Sequence, residues 1–386
     1  MNTSENKALL PAGMSDTLPP DAAFEDSVLR TLLASFAGHG YQQVKPPLIE
    51  FEEGLLAGLG ASVSSQTFRV MDPVSRRMMG VRADMTPQVA RIAASRLRKA
   101  PRPLRLSYAG QVLRIKGSQL RPEREFSQVG VELIGGTEPA ADAEVIVMAA
   151  TALQNLGISG LSVDLGIPTL VPALCRELKI SEETERELRL ALDRKDATGI
   201  AELEGSLGSP GCDMLDAMLA AAGPARKSLE ILDGLPFGDE AAGERRALSD
   251  VINLIEMAVP DLRLTIDPVE NRGFEYHSGV TFTFFVRGVR GELGAGGRYV
   301  ANPGGGLEEP STGFTLFMDT VLRAVPEHTP QPRIYVPYGT AASVIENLRT
   351  DGWAAVAGLA PVEDDAVEAD RLMCSHLATG SGTRKL

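Results

Sequence analysis

An α+β fold, a mostly antiparallel sheet flanked by helices, is what this sequence of 386 residues predicts. Three observations point there. Two strand-like runs, Leu104 to Leu113 and Glu125 to Ile134, are joined by a polar, basic loop and form a long hairpin, not a parallel crossover. Other strand-like runs, Leu161 to Leu165, Leu262 to Ile266 and Val280 to Val286, lack the regular strand–helix alternation of a parallel sheet. Residues 167 to about 260 are rich in Leu, Ala and Glu with helical periodicity, and read as a helical insertion between two strands.

Taken in order, Phe24, Val28, Leu32 and Phe36 recur every four residues, with Leu29 and Leu33 widening the stripe, so a core-facing helix is expected. Pro19-Pro20-Asp21 supplies its stop and N-cap, and Gly38 to Gly40 its end. Tyr41 to Ile49 follows as a short strand that Pro46 and Pro47 confine to an edge or a strand end, a place suited to a dimer seam. Phe68 to Met71 and Met78 to Arg82 flank Asp72-Pro73 as a hairpin. Thr86-Pro87 reads as an N-cap with proline at the first helical position, opening a helix to about Lys99. Val145, Met148, Ala149, Ala152, Leu153 and Leu156 trace one face of another helix, closed by Gly157. A further helix is expected near Phe314 to Ala324, then a linker over Pro326 to Pro332, a strand at Ile334 to Val336 and a helix around Ala341 to Leu348.

Composition narrows the function. The chain has Lys+Arg 38 against Asp+Glu 51, a net charge of -13, and this acidic balance weighs against a large nucleic-acid footprint, which requires cations to neutralise phosphates. No stretch approaches the ~20 consecutive apolar residues of a membrane span, so membrane function is excluded. Met1 to Ala8 is polar and has no apolar region of the kind an export signal carries, and a cytoplasmic location is expected. The three cysteines and four histidines are scattered, which leaves neither a disulfide framework nor a zinc site; no metal and no cofactor is expected.

Single motifs say little alone. Gln128 and Glu132 point the same way from one strand, with Gly130 between them leaving open space, which reads equally as a pocket floor or a solvated sheet face. Arg272 lies in a loop after Asp267-Pro268, where an arginine is ordinarily a surface residue. Gly294 to Gly297 lacks the Lys-Ser/Thr ending of a phosphate loop, and close backbone packing is the better reason for those glycines.

In order, however, Leu10 to Asp16, Tyr41 to Glu50, Arg82-Ala83-Asp84-Met85-Thr86, Arg124 to Glu132, Arg272 to Tyr276 and Ala295 to Tyr299 together resemble the histidyl-tRNA synthetase catalytic core, a class II synthetase fold. The resemblance covers residues 9 to about 325, with the helical insertion at about 167–260 inside it, and leaves residues 326–386 as a short α/β C-terminal domain. Carried over residue by residue, it implies a histidine pocket of Asp84, Thr86, Arg114, Gln128, Glu132, Arg272, Tyr276 and His277. The chemistry is coherent. A ligand ammonium wants Asp84, Thr86 and Gln128, a carboxylate wants Arg272 or Arg114, and an imidazole N–H wants a buried acceptor such as Glu132.

The departures from the family pattern shape the expected function. Where the family carries Phe-Arg-x-Glu, this chain has Leu113-Arg114-Ile115-Lys116, which replaces a carboxylate by an ammonium. The arginine of the third class II motif aligns with Thr320, although Arg323 three residues on offers a shifted alternative. Residues 326–386 are also fewer than the ~100 of an ordinary domain, so a full anticodon reader is not expected and neither is tRNA binding. A pocket without its nucleotide clamp resembles the synthetase-like regulatory subunits of ATP phosphoribosyltransferase, the first enzyme of histidine biosynthesis. That resemblance implies no catalysis and no catalytic residues. It also implies a short-form catalytic subunit as partner, a homodimer within a hetero-oligomer, and L-histidine as feedback effector. An active histidyl-tRNA synthetase is the alternative, and an enzyme ligating histidine to another acceptor is a third reading.

Overall fold

The structure is a computed structural model and describes residues 9–117, 121–270, 276–301, 308–326, 330–380 and 382–386. Its elements, in chain order, begin with α1 (Asp21–Gly38), β1 (Gln42–Gln43), β2 (Ile49–Phe51), α2 (Glu52–Leu55), β3 (Arg69–Met71), β4 (Met78–Val81), α3 (Thr86–Ser95), β5 (Leu104–Leu113), β6 (Glu125–Ile134), α4 (Pro139–Asn155) and β7 (Leu161–Gly166). A helical block follows: α5 (Leu170–Leu178), α6 (Glu182–Asp193), α7 (Ala197–Glu202), α8 (Glu204–Ala220), the two-residue β8 (Gly223–Pro224), α9 (Ala225–Asp233) and α10 (Asp239–Ala258). The first unit closes with β9 (Arg263–Asp267), β10 (His277–Val286), β11 (Gly294–Ala301), β12 (Glu309–Phe317) and α11 (Met318–Ala324). Then come β13 (Arg333–Val336), α12 (Ala342–Thr350), β14 (Ala354–Ala357), α13 (Asp365–Arg371), β15 (His376–Thr379) and β16 (Gly382–Lys385).

The chain divides into two compact units, Met1–Pro326 and Glu327–Leu386. In the first, nine strands form one sheet in the order β1-β5-β6-β12-β11-β10-β7-β9-β8. Its pairs are antiparallel except β1 with β5 and β7 with β9. The alternation of β6 sorts its two faces. Val129, Val131 and Leu133 join the core built with α1 and α4, while Phe126 and Ile134 join Met85, Val89 and Tyr108 on the side of α3. Phe36 and Leu32 of α1 are fully buried in the first of these cores, each worth roughly 1.5–3 kcal/mol against exposure. On the α3 face the same alternation leaves Gln128, Gly130 and Glu132 as floor.

In the second unit, β13 lies parallel to both β14 and β15, and β16 runs antiparallel to β15. Tyr335, Ala369, Cys374 and Leu377 make one small core there, and Ile334, Val336 and Ala378 make another with Leu348 and Trp353.

Four expectations are corrected. The strand expected over Tyr41 to Ile49 is broken, because Pro46 and Pro47 have no N–H to give a ladder: Gln42–Gln43 pairs with β5 and Ile49–Phe51 pairs with β4 in a separate three-stranded sheet. Thr86 is not an N-cap but the first helical residue, and Asp84 Oδ1 accepts its N–H at 2.9 Å. That helix stops at Ser95 and not Lys99; the Arg102 guanidinium takes the carbonyls of Leu97 and Ala100 at 3.1 and 2.8 Å. Phe314 to Phe317, expected to be helical, are β12 residues held between β6 and β11, and only Met318 starts a helix. Residues 327–329, inside the expected linker, lie outside the described residues.

Candidate functional site

A cavity of about 110 Å³ opens on the α3 side of the sheet, lined by Asp84, Thr86, Arg114, Glu132, Tyr276, His277 and Tyr299 among others. Six of the expected site residues therefore converge: Asp84, Thr86, Arg114, Glu132, Tyr276 and His277. Arg272 lies outside the described residues. Gln128 does not line the cavity; it is fully buried, and its Oε1 accepts the Met85 N–H at 3.1 Å, which fixes the turn carrying Asp84 and Thr86.

Glu132 is the chemical centre. It is 1% exposed, and Tyr299 Oη donates to its Oε2 at 2.7 Å. The Tyr108 hydroxyl stands 3.4 Å from Oε1, and also 2.7 Å from Thr315 Oγ1 and 3.3 Å from Thr86 Oγ1. Burial drives the carboxyl up from its ordinary 4.5 to about 8, and the hydroxyls of Tyr299, Thr86 and Tyr108 offset only part of that. The strand packing that creates this enclosure needs glycine. A Cβ on Gly313 would stand 2.1 Å from Glu132 Oε2, and one on Gly130 would stand 2.2 Å from Phe314 O.

The remaining walls are polar or aromatic. Arg114 donates through Nε to Ala83 O at 3.3 Å and lies over the Phe126 ring at 5.1 Å; burial lowers its pKa, and Asp84 offsets that in part. Tyr276 and His277 stack at 4.2 Å between ring centroids, with their planes 30° apart. Gly296 and Gly297 are strand residues of β11 that line the cavity; a Cβ on Gly296 would stand 2.1 Å from Gly313 O and one on Gly294 2.5 Å from Thr315 O, which bears out close packing over a phosphate loop for this stretch. Lys116 stands elsewhere, on a wide groove of about 750 Å³ shared with Ala12 to Ser15 and Arg124.

Motif reading left out Tyr108, Thr315 and Tyr299 as functional partners. Tyr299 ends a stretch that carries the family resemblance, and Tyr108 stands opposite Gly130 in the β5–β6 ladder. Their shared approach to one carboxyl depends on the β5-β6-β12-β11 strand order, which no local pattern encodes. Among the described residues, no three His, Cys, Asp or Glu side chains are grouped to hold a metal, and no helix is long and apolar enough to cross a membrane.

Known proteins share this architecture. A family model described as Histidyl-tRNA synthetase matches residues 13–321. A protein of Paramagnetospirillum magneticum named ATP phosphoribosyltransferase regulatory subunit is 56% identical, over 97% of this chain and 97% of its own length. Its namesakes from Rhodospirillum centenum and Gluconobacter oxydans are 54% and 45% identical, over 99% and 98% of this chain and 97% of each of their own. Among solved structures, an ATP phosphoribosyltransferase regulatory subunit/histidyl-tRNA synthetase from Bacillus halodurans superimposes with a TM-score of 0.81 at 26% identity, covering 94% of this chain and 96% of that one. Histidyl-tRNA synthetase from Nostoc, at 19% identity and a TM-score of 0.80 over 96% of this chain and 91% of that one, shares the fold. The chain belongs to the histidyl-tRNA synthetase-like family of ATP phosphoribosyltransferase regulatory subunits.

Proposed function

We propose that this non-catalytic regulatory subunit holds L-histidine in the cavity around Glu132 and through it confers feedback on a short-form ATP phosphoribosyltransferase catalytic partner. The observation that carries the reading is Glu132 itself, an enclosed carboxyl on a cavity also lined by Asp84 and Arg114. An imidazole N–H donates to Glu132, the ligand ammonium pairs with Asp84, and its carboxylate takes the Arg114 guanidinium, with Arg272 as the second cation of the proposed set. Thr86, Tyr276 and His277 complete the wall, and Gln128 holds the Asp84–Thr86 turn from behind.

Feedback requires histidine to bind the inactive assembly more tightly than the active one, by the ~1–3 kcal/mol typical of allosteric coupling. The test is a kinetic assay of the reconstituted complex. Histidine is expected to inhibit only when this subunit is present, and Glu132→Gln to weaken that inhibition. A catalytic subunit fully active and fully histidine-sensitive alone, and indifferent to this chain, overturns the proposal.

The same proposal includes a homodimer. Leu48, Ile49, Phe51, Val70, Met71 and Met78 are exposed on and beside the β2-β4-β3 sheet, an apolar surface that a second copy would cover. Sedimentation at micromolar concentration is expected to give a dimer, and a concentration-independent species near 41.1 kDa contradicts it. An active histidyl-tRNA synthetase is not favoured, since relatives at 45–56% identity over nearly the whole chain carry the regulatory name. The reading gives tRNA no part, and histidine-dependent pyrophosphate exchange is expected to be absent.

A further inference from the structure

Beside the cavity, Arg121 is 7% exposed and held on every side. Its Nε donates to Asp319 Oδ2 at 3.0 Å, and its Nη2 lies 3.3 Å from Glu292 Oε1 and 3.5 Å from Thr320 Oγ1. The guanidinium stands 3.9 Å from the centre of the Phe317 ring and 5.0 Å from that of Phe126. Phe317 and Arg114 both line the cavity, so Arg121 packs directly behind its wall. Arg323, the alternative cation three residues past Thr320, donates to Thr320 Oγ1 at 3.3 Å and approaches Asp319 Oδ2 at 4.0 Å. Both cations near Thr320 are thus drawn to protein carboxylates.

We infer that Arg121 is a resident plug and the specificity-determining side chain of this cavity. Its guanidinium fills a slot with the chemistry of a site for a flat, donor-bearing heteroaromatic ring, and with it in place that slot is closed to a nucleoside. The slot offers two aromatic faces for stacking, and Asp319 and Glu292 as acceptors for an exocyclic amine. A guanidinium has the same flatness and the same N–H edge, and adds a charge that both carboxylates favour. It is also tethered to the chain, so a free nucleoside competes against an intramolecular ligand. The inference rests on the proposed reading of the cavity as an amino-acid effector site.

Adenosine, which carries no phosphate, is the probe. Titration calorimetry of the full chain is expected to show no adenosine binding by the wild type at millimolar concentration. Arg121→Ala should bind it at least tenfold more tightly than the wild-type limit. Should the alanine variant fail to fold, Arg121→Lys keeps a charge for Asp319 while vacating the planar slot over Phe317, and is expected to admit adenosine as well. Adenosine binding by the wild type, or none by any folded variant, overturns the plug. Histidine is titrated separately into the wild type: its failure to bind sinks the effector reading, while histidine binding with no entry of adenosine into the variants sinks the plug alone.

Discussion

Among the described residues of the first unit, two carboxyl groups are almost completely buried, Glu132 on β6 and Asp142 on α4, and the fold treats them in opposite ways. Asp142 receives the Arg298 guanidinium at 3.0 Å from Nε and 2.6 Å from Nη2, and Arg298 also donates to Gly136 O at 2.8 Å and Glu138 O at 3.0 Å. Burial raises the Asp142 pKa, and Arg298 works against that rise. No Lys or Arg pairs with Glu132 among the described residues; its partners are hydroxyls, and its carboxyl climbs to about 8. A buried charge with its counter-ion built in serves the fold. A buried acid left to hydroxyls beside an open cavity is a candidate for contact with a ligand.

The sharpest way to break this comparison is to remove the counter-ion. Arg298→Met strands Asp142 and is expected to cost ~3–5 kcal/mol of stability in urea unfolding, whereas Glu132→Gln at pH 6 should not destabilise, because the wild-type carboxyl must take up a proton to fold at that pH, at a cost of roughly 2 kcal/mol that the amide escapes. Equal losses for the two variants would erase the distinction.

The pH dependence comes next in size. Glu132 binds its proton in the folded chain up to about pH 8 and releases it near 4.5 when unfolded. Its contribution is therefore complete below 4.5 and is lost as pH rises through about 8, at roughly 1.4 kcal/mol per unit between those values. The difference between wild type and Glu132→Gln, followed by urea unfolding from pH 6 to 8, should show that slope. A difference flat across the range contradicts it.

Gly313→Ala tests the packing that encloses the acid. The new methyl meets Glu132 Oε2 and Val131 O, so a loss of ~1–3 kcal/mol is expected, together with weakened histidine binding by calorimetry. The smallest effect is protonic. A ligand donor or cation beside Glu132 favours its ionised form, so histidine binding at pH 7 should release up to about one proton from this group, read from binding enthalpies in buffers of different ionisation heat. No release in wild type, or the same release in Glu132→Gln, argues against contact between histidine and Glu132.

How much of this was legible beforehand depended on the range of the interaction. The β5–β6 hairpin falls at Leu104–Leu113 and Glu125–Ile134, as the sequence predicts, since period-two alternation and a polar loop are local signals. The four-residue recurrence of Phe24 to Phe36 likewise marks α1. Phe314 to Phe317 misled because a short, largely apolar stretch suits either a buried helix or a central strand, and its ladder partners lie on β6 and β11. Thr86 misled for a different reason: threonine before proline is a sound start signal, but a better acceptor, Asp84, stands two residues upstream.

By itself the sequence singled out the residues of the proposed pocket: an aspartate and a threonine at a helix start, an arginine after one strand, a glutamate within the next, and a Tyr-His pair. It also held the substitutions at Lys116 and Thr320 that set this chain apart from the family pattern. Tertiary structure alone decided that Tyr108 and Tyr299 meet the Glu132 carboxyl, that Gln128 sits behind the wall, and that Arg121 fills the slot between Phe317, Phe126 and two carboxylates. The physical reason is distance along the chain. Helix and strand patterns are written in neighbours a few residues apart, whereas the environment of a buried acid is assembled from strands separated by most of the sequence, and its burial and proton affinity exist only once they have closed around it.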